Sequence, residues 1–224
     1  MSLDILYEDR DLIVCVKPPL TPSQPDTTGD EDMTALIRSY LEEHGDKSEI
    51  FVVHRLDRAV GGVMVYAKNK NACAYLSQAV SDKDTFKKEY LAVVCGIPEK
   101  ESGTYEDHIY KDPKIHKSFI AQKERKGVKF ASLDYSVMQT VAVDEKTFSL
   151  LKIRLNTGRY HQIRVQLASR KMPICGDGKY GSREKCAHLA LWSYSLSFDH
   201  KGKHFSFSKS PDTAKPFWNL FNIR

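Results

Sequence analysis

Apolar and polar positions alternate along the chain in short runs broken by tight polar turns, which predicts many strands and few helices. Ile5-Leu6-Tyr7 and Leu12 to Val16 read as two strands joined by the turn Glu8-Asp9-Arg10-Asp11. Lys17-Pro18-Pro19 ends the second strand, because proline has no N–H to give a ladder. Pro22 to Asp32, rich in Pro, Asp, Thr and Gly, is a loop. Leu36, Ile37, Tyr40 and Leu41 recur at helical spacing within Met33 to His44, with acidic residues before and Gly45 after. Phe51 to Val53 and Gly62 to Ala67 are apolar strands on either side of a charged turn, His54 to Val60. Asn69 caps a second helix running to about Ser81, with Cys73, Leu76 and Ala79 or Val80 inward.

Further strands are expected at Glu89 to Cys95, Thr104 to Tyr110, Ala131 to Gln139 and Thr147 to Leu155. Ile163 and Leu167, spaced i, i+4, place a third helix over Gly158 to Arg170. A loop from Pro173 to Gly181, strands at His188 to Phe198 and His204 to Phe207, and a short C-terminal helix complete the chain. Strands outnumber helices, so the expected class is α+β, a largely antiparallel mixed sheet with flanking helices. No repeat or interdomain linker interrupts the pattern. Residues 1–224 therefore read as one domain, or as two closely packed lobes.

Composition narrows the function classes. A hydrophobic fraction of 41% and a charged fraction of 28% are those of a globular protein and exclude general disorder. No apolar run approaches the roughly 18 residues of a membrane-spanning helix. The start, Met1-Ser2-Leu3-Asp4, lacks the basic-then-apolar pattern of a signal peptide, so a cytoplasmic location is expected. Five scattered cysteines, odd in number and without a C-x-x-C pair, speak against a disulfide framework or a cysteine-built zinc site and read as reduced, mostly buried thiols. No metal-ligand cluster of credible spacing is present, and neither metal nor cofactor is expected.

Net charge is only +5, but its distribution is uneven. Lys111 to Lys129 holds seven basic residues against Asp112 and Glu124, a local +5 equal to that of the whole chain. A phosphate backbone is the natural partner of such a stretch, and a solvated loop is the alternative.

Two segments carry candidate chemistry. In His54-Arg55-Leu56-Asp57-Arg58-Ala59-Val60-Gly61-Gly62 a carboxylate sits between two arginines, ahead of glycines that allow close backbone approach. Adjacent guanidinium groups keep such a carboxylate ionised, as a nucleophile or base requires; an Arg–Asp pair that merely fastens a turn is the other reading. The segment Asn156-Thr157-Gly158-Arg159-Tyr160-His161-Gln162-Ile163-Arg164 opens a helix with polar and cationic groups, suited to an anion or simply to solvent. On that helix His161 and Arg164 would share a face.

Together, His54-Arg55-Leu56-Asp57-Arg58 and Thr157-Gly158-Arg159-Tyr160-His161-Gln162-Ile163-Arg164-Val165 resemble the signature motifs of the RluA-type pseudouridine synthases. Four supporting matches follow the family's order. Ile5 to Pro18 resembles its opening strand–turn–strand–Lys-Pro element, and Lys87-Lys88-Glu89-Tyr90-Leu91-Ala92 its Lys-x-Tyr-x-Ala strand. Pro173 to Gly181 resembles its Pro-Ile-x-Gly-Asp-x-x-Tyr-Gly loop, and His188-Leu189-Ala190 follows in place. Where the family often carries Thr-Ser-Gly, this chain has Val60-Gly61-Gly62. The small N-terminal RNA-binding domain of some members is expected to be missing, since the catalytic pattern starts within the first ten residues.

The resemblance implies a catalytic fold with a central RNA-binding cleft and isomerisation of uridine to pseudouridine in ribosomal or transfer RNA, by a monomer. Asp57 would be the catalytic carboxylate, attacking the anomeric carbon, adding to the uracil ring or abstracting a sugar proton. Arg164 would pair with it, or contact phosphate instead. Tyr90 would stack on the extracted base or move a proton, or be a buried strand tyrosine. Arg55 would fill the gap left by the uridine or hold the RNA backbone. Arg58, Arg159, His161 and Gln162 would also meet RNA, as would Lys83, Lys87, Lys88 and Lys117. Reaching a base stacked in RNA requires flipping it out, at a few kcal/mol. Phosphate contacts and aromatic stacking, ~1–3 kcal/mol per base, offset that cost. The rival classes are a glycoside hydrolase, which needs a second carboxylate that the second motif lacks, and a catalytically silent RNA-binding protein of the same fold.

Overall fold

The computed structural model describes residues 3–82, 84–123 and 125–223. The chain forms two compact units, Met1–Lys88 with Ser193–Pro211 and Glu89–Trp192 with Asp212–Arg224.

In the first unit, β1 (Asp4–Glu8) and β2 (Leu12–Lys17) form the predicted hairpin, with a register shift between Ile5 and Tyr7. The Asp9 carboxylate closes its turn by accepting the Asp11 and Leu12 N–H groups at 2.7 and 2.8 Å. β2 pairs antiparallel with β4 (Gly61–Ala67), and β3 (Phe51–Val52) also pairs with β4. Every residue of β2 and β4 is buried, which is why both strands are continuous apolar runs rather than alternating ones. The helices α1 (Met33–Glu43) and α2 (Lys70–Ala79) have capping side chains, Asp32 accepting Thr34 N–H at 2.7 Å and Asn69 accepting Ala72 N–H at 2.9 Å. Ala72 and Leu76 point α2 into the core; Cys73 and Ala79 pack at its margin.

That core gathers Leu12, Val14, Val63, Val65, Leu76, Phe86, Leu196 and Phe198. Phe86 stacks on Phe198 at 5.6 Å, and burying each such side chain stabilises the unit by about 1.5–3 kcal/mol. β10 (Leu191–His200) and β11 (Lys203–Ser208) make a hairpin with Phe198 opposite Phe205.

The second unit is an antiparallel meander. β5 (Phe86–Cys95), which begins three residues before its predicted start, pairs from Glu89 onward with β9 (Lys146–Leu155). β9 pairs with β8 (Val128–Val143), β8 with β6 (Ser102–Asp112), and β6 with β7 (Lys117–Ile120). β7 was not predicted. Its four residues lie in the basic segment and take strand form by pairing with Ile109–Asp112, so the segment belongs to a β ribbon rather than to a free loop.

The helix α3 (Gln162–Ser169) starts four residues later than its pattern predicts. His161 is left-handed, φ 53°, and such a residue cannot continue a right-handed helix. The segment before it is tied to β8, the N–H groups of Asn156 and Thr157 both donating to Ser132 O, at 3.1 and 3.2 Å. His161 is thus the cap residue of α3 rather than a member of its first turn. β10 likewise begins at Leu191 rather than His188, and the C-terminal helix is a single 3-10 turn, Trp218–Leu220. All the ladders described are antiparallel, and with three helices the fold is α+β, as expected.

Candidate active site

Asp57 lies half-buried in the turn between β3 and β4, and the backbone around it is clamped. Val60 N–H donates to Asp57 O at 2.9 Å. Ser23 holds Leu56 from both sides, its Oγ accepting Leu56 N–H at 3.1 Å and donating to Leu56 O at 3.0 Å. Beneath the turn is Lys17, with no exposed surface. Its Nζ donates to Pro18 O (3.0 Å), Thr21 O (2.6 Å) and Arg58 O (3.0 Å). Burial pulls the Lys17 ammonium down to about 7, while the negative charge of Asp57 acts in the opposite direction. The turn that carries the Asp57 carboxylate is thus fixed by hydrogen bonds to its backbone on both sides of Asp57.

The flanking residues divide by role. Arg55 is exposed. Arg58 ties the turn to the preceding loop: Nε donates to Leu20 O at 3.0 Å, Nη1 to Thr28 Oγ1 at 3.0 Å, and Nη2 pairs with Asp30. His54 is buried, accepts Val65 N–H on Nε2 at 3.3 Å and sets its ring edge-on to Phe86. Burial pulls its imidazole to about 3, so it is neutral at physiological pH. Gly62, φ 122°, lets β4 approach β10 so closely that a Cβ would sit 2.2 Å from Ser193 O. Lys87 is exposed and Lys88 half-buried, its Nζ 5.6 Å from the Phe86 ring; Lys83 lies outside the described residues.

The second unit holds the other predicted residues. Tyr90, on β5 opposite Ile153, is 6% exposed. Arg164, on α3, grips Asp177 through Nε–Oδ2 (2.7 Å) and Nη2–Oδ1 (2.8 Å), with both side chains buried. Two-point pairing of this kind fixes the guanidinium plane. Asp177 had no assigned role in the sequence reading, although it stands in the Pro173–Gly181 motif. The Arg164 guanidinium lies 5.0 Å from the Tyr180 ring, and the Tyr180 hydroxyl bonds His161 Nδ1 at 2.9 Å and accepts Ser118 N–H at 2.8 Å. Burial, then the Arg164 charge, pulls His161 down to about 3.

Cations and aromatic rings interleave around this cluster. His161 stacks on Tyr160 at 3.9 Å. Lys111 Nζ stands 4.3 Å from the Tyr160 ring, Lys117 Nζ 5.1 Å from Tyr180, and Arg125 3.6 Å from Tyr110. Arg159 is held by Phe130 O, to which Nε donates at 2.8 Å. Gln162, expected at RNA, is 3% exposed and shapes the turn from inside: Oε1 accepts Thr157 Oγ1–H (2.8 Å) and Arg159 N–H (3.0 Å), and Nε2 donates to Ser132 O (3.0 Å).

Sequence reasoning missed Lys17 and Ser23 as supports of Asp57. Lys17 had a signal, the Lys-Pro pair closing β2; Ser23 had none. Among the described residues no group of three or more His, Cys, Asp or Glu could hold a metal, and no helix is long and apolar enough to cross a membrane.

The first unit thus presents a carboxylate on a clamped turn, and the second presents cations bedded on aromatic rings. Residues 11–169 match the family described as RNA pseudouridylate synthase, and the chain belongs to that family, whose members are isomerases. An uncharacterized RNA pseudouridine synthase of Aquifex aeolicus is 34% identical over 98% of this chain and 73% of its own length. A ribosomal large subunit pseudouridine synthase D of Borreliella burgdorferi is also 34% identical, over 89% of this chain; the chain spans only 62% of that relative. The solved structure of human RNA pseudouridylate synthase domain containing 1 shares the fold at a TM-score of 0.78 and 22% identity, covering 96% of this chain and 85% of its own.

Proposed function

We propose that this chain converts specific uridines to pseudouridine in structured RNA, with Asp57 as the catalytic carboxylate acting on a flipped-out nucleotide. The observation that carries the reading is the family match across residues 11–169, which includes the clamped Asp57 turn. The reaction breaks the sugar–nitrogen bond, turns the base and rejoins it through carbon, and its atoms balance without a redox cofactor. Following the resemblance, Arg164 maintains the ionised state of the catalytic carboxylate, and Tyr90 stacks on the base or serves proton transfer at carbon. Arg55, on the Asp57 turn, and Lys87 are exposed, and with the half-buried Lys88, Arg159 and Lys117 they are the residues proposed to meet RNA. The name of the Borreliella relative makes ribosomal RNA the first substrate to test and transfer RNA the second. A monomer acting in the cytoplasm completes the proposal.

The test is incubation of the purified chain with unmodified total RNA, with Asp57→Asn alongside, and mapping of pseudouridine by chemical labelling and sequencing. New sites made by the wild type and absent with the variant are expected. RNA binding with no new site for either protein would replace this reading with a silent RNA-binding protein, and equal activity of the variant would overturn the role of Asp57.

A further inference from the structure

Cys95 and Cys175 stand side by side in the second unit, and the proposed chemistry uses neither. Their Sγ atoms are 3.6 Å apart, and Ser182 Oγ lies 3.9 Å from Cys95 Sγ. Cys95 ends β5, and Cys175 lies on the loop that follows α3. The backbones are locked together around the Val94–Ile174 bridge, with Cys95 N–H donating to Pro173 O at 3.0 Å and Cys175 N–H to Val93 O at 2.9 Å. In that register both side chains project from the same face, on one diagonal. The sulfurs need to approach by about 1.5 Å to reach the ~2.05 Å of a disulfide bond.

The two thiols differ in a useful way. Cys175 is fully buried, whereas Cys95 is half-buried and reached by solvent. The contact with Cys175, then the Ser182 hydroxyl, lowers the Cys95 thiol, while the same contact and burial raise Cys175. Cys95 is therefore the sulfur that a peroxide from solvent can reach, and a resolving thiol is already in contact with it.

We propose that Cys95 and Cys175 form a reversible, peroxide-oxidisable dithiol. The Cys95 thiolate attacks one peroxide oxygen; the O–O bond breaks, hydroxide leaves and takes a proton from solvent, and Cys95 becomes a sulfenic acid. The Cys175 sulfur then attacks Cys95 Sγ; the S–S bond forms, the S–O bond breaks, and the oxygen leaves as water with the Cys175 proton. One peroxide is reduced to two waters and two thiols are oxidised to one disulfide.

The bond would act on the neighbouring backbone. Gly176 follows Cys175 in left-handed conformation, φ 82°, with the space of a Cβ filled by His188 O at 2.6 Å. Asp177 comes next and holds Arg164. Drawing Cys175 toward β5 therefore pulls on the segment that positions Arg164. The effect on activity rests on the function proposed above; the oxidation does not.

The full chain is exposed to dilute hydrogen peroxide, its remaining thiols are alkylated, and its peptides are mapped by mass spectrometry. One linked pair, Cys95–Cys175, is expected, reversed by dithiothreitol, with Cys15, Cys73 and Cys186 alkylated. Cys175→Ser should leave Cys95 as a sulfenic acid trapped by dimedone, and Cys175→Ala gives the same answer if serine disturbs the buried site. Full alkylation of both cysteines under peroxide that oxidises free glutathione, or a disulfide to Cys186 instead, would overturn the proposal. Pseudouridine formation should fall about tenfold or more on oxidation in the wild type and be unaffected in Cys95→Ser; unchanged activity of the disulfide form would overturn the link to Arg164. A chain inactive on every RNA still gives a decisive peptide map.

Discussion

Arg164 and Asp177 meet through two hydrogen bonds of 2.7 and 2.8 Å, and both side chains are shut away from solvent. The orientation of a residue expected at the catalytic centre thus depends on a carboxylate from the following loop.

Asp177→Asn keeps the shape of that carboxylate but removes its negative charge from beside a buried guanidinium. A loss of about 3 kcal/mol, at the lower end of the cost of breaking a buried pair, is expected in denaturant unfolding. Pseudouridine formation should fall with it under conditions where the variant remains folded. A variant within about 0.5 kcal/mol of wild type would mean that the pair contributes little to the fold.

Gly62 and Gly45 both have positive φ, 122° and 75°, yet differ in their surroundings. A Cβ at Gly62 meets Ser193 O at 2.2 Å, while one at Gly45 meets nothing within 4 Å. Gly45→Ala should cost about 1 kcal/mol, the penalty of a left-handed residue alone. Gly62→Ala should cost several times that or abolish folding, since two backbones must separate. Thermal melts of both variants check the ordering.

The buried bases predict how stability varies with pH. His54 is neutral in the fold down to about 3 but protonates near 6.5 when unfolded; Lys17 loses its proton near 7 in the fold but near 10.5 when unfolded. In each window the unfolded chain binds more protons, so stability rises with pH: from about 3 to 6.5 for His54 and from about 7 to 10.5 for Lys17. Each group contributes a slope of up to roughly 1.4 kcal/mol per pH unit within its window. Urea unfolding of His54→Leu should lose the acid-side slope and that of Lys17→Met the alkaline-side slope. A variant retaining the wild-type slope in its window would refute the assignment for that residue.

The ribbon carrying Lys111, Lys117 and Arg125 is expected to bind phosphate. Replacing Lys111 and Arg125 by alanine together should weaken RNA binding and reduce the slope of log affinity against log salt by about 1.4–1.8, at roughly 0.7–0.9 per lost phosphate contact. Binding isotherms at several salt concentrations measure it; an unchanged slope would place the RNA elsewhere.

Much of this protein was legible in its sequence because the information was local. Period-two and helical patterns located the strands and helices from β1 to β9 to within a few residues, apart from β7, and Asp32 and Asn69 capped α1 and α2 as their chemistry requires. The order of the motifs disclosed the family, and the charged turn around Asp57 drew attention without any knowledge of its neighbours. What the pattern could not contain was the set of partners distant in the chain. Lys17 reaches Arg58 O across 41 positions, and Ser23 clamps Leu56 across 33. Arg58, read as a flank of Asp57 or an RNA contact, also ties its turn to Asp30, 28 positions away. β7 exists because β6 pairs with it, not because Lys117-Ser118-Phe119-Ile120 favours a strand by itself. α3 starts at Gln162 because His161 stands in the left-handed region, held there by its contacts with Tyr160 and Tyr180, and a right-handed helix cannot run through it. Side-chain periodicity and turn chemistry are set by neighbours along the chain, so the sequence determined the elements and the charged turn around Asp57. The burial of Lys17 and the partner of Arg164 depend on long-range packing, and only the tertiary structure decided them.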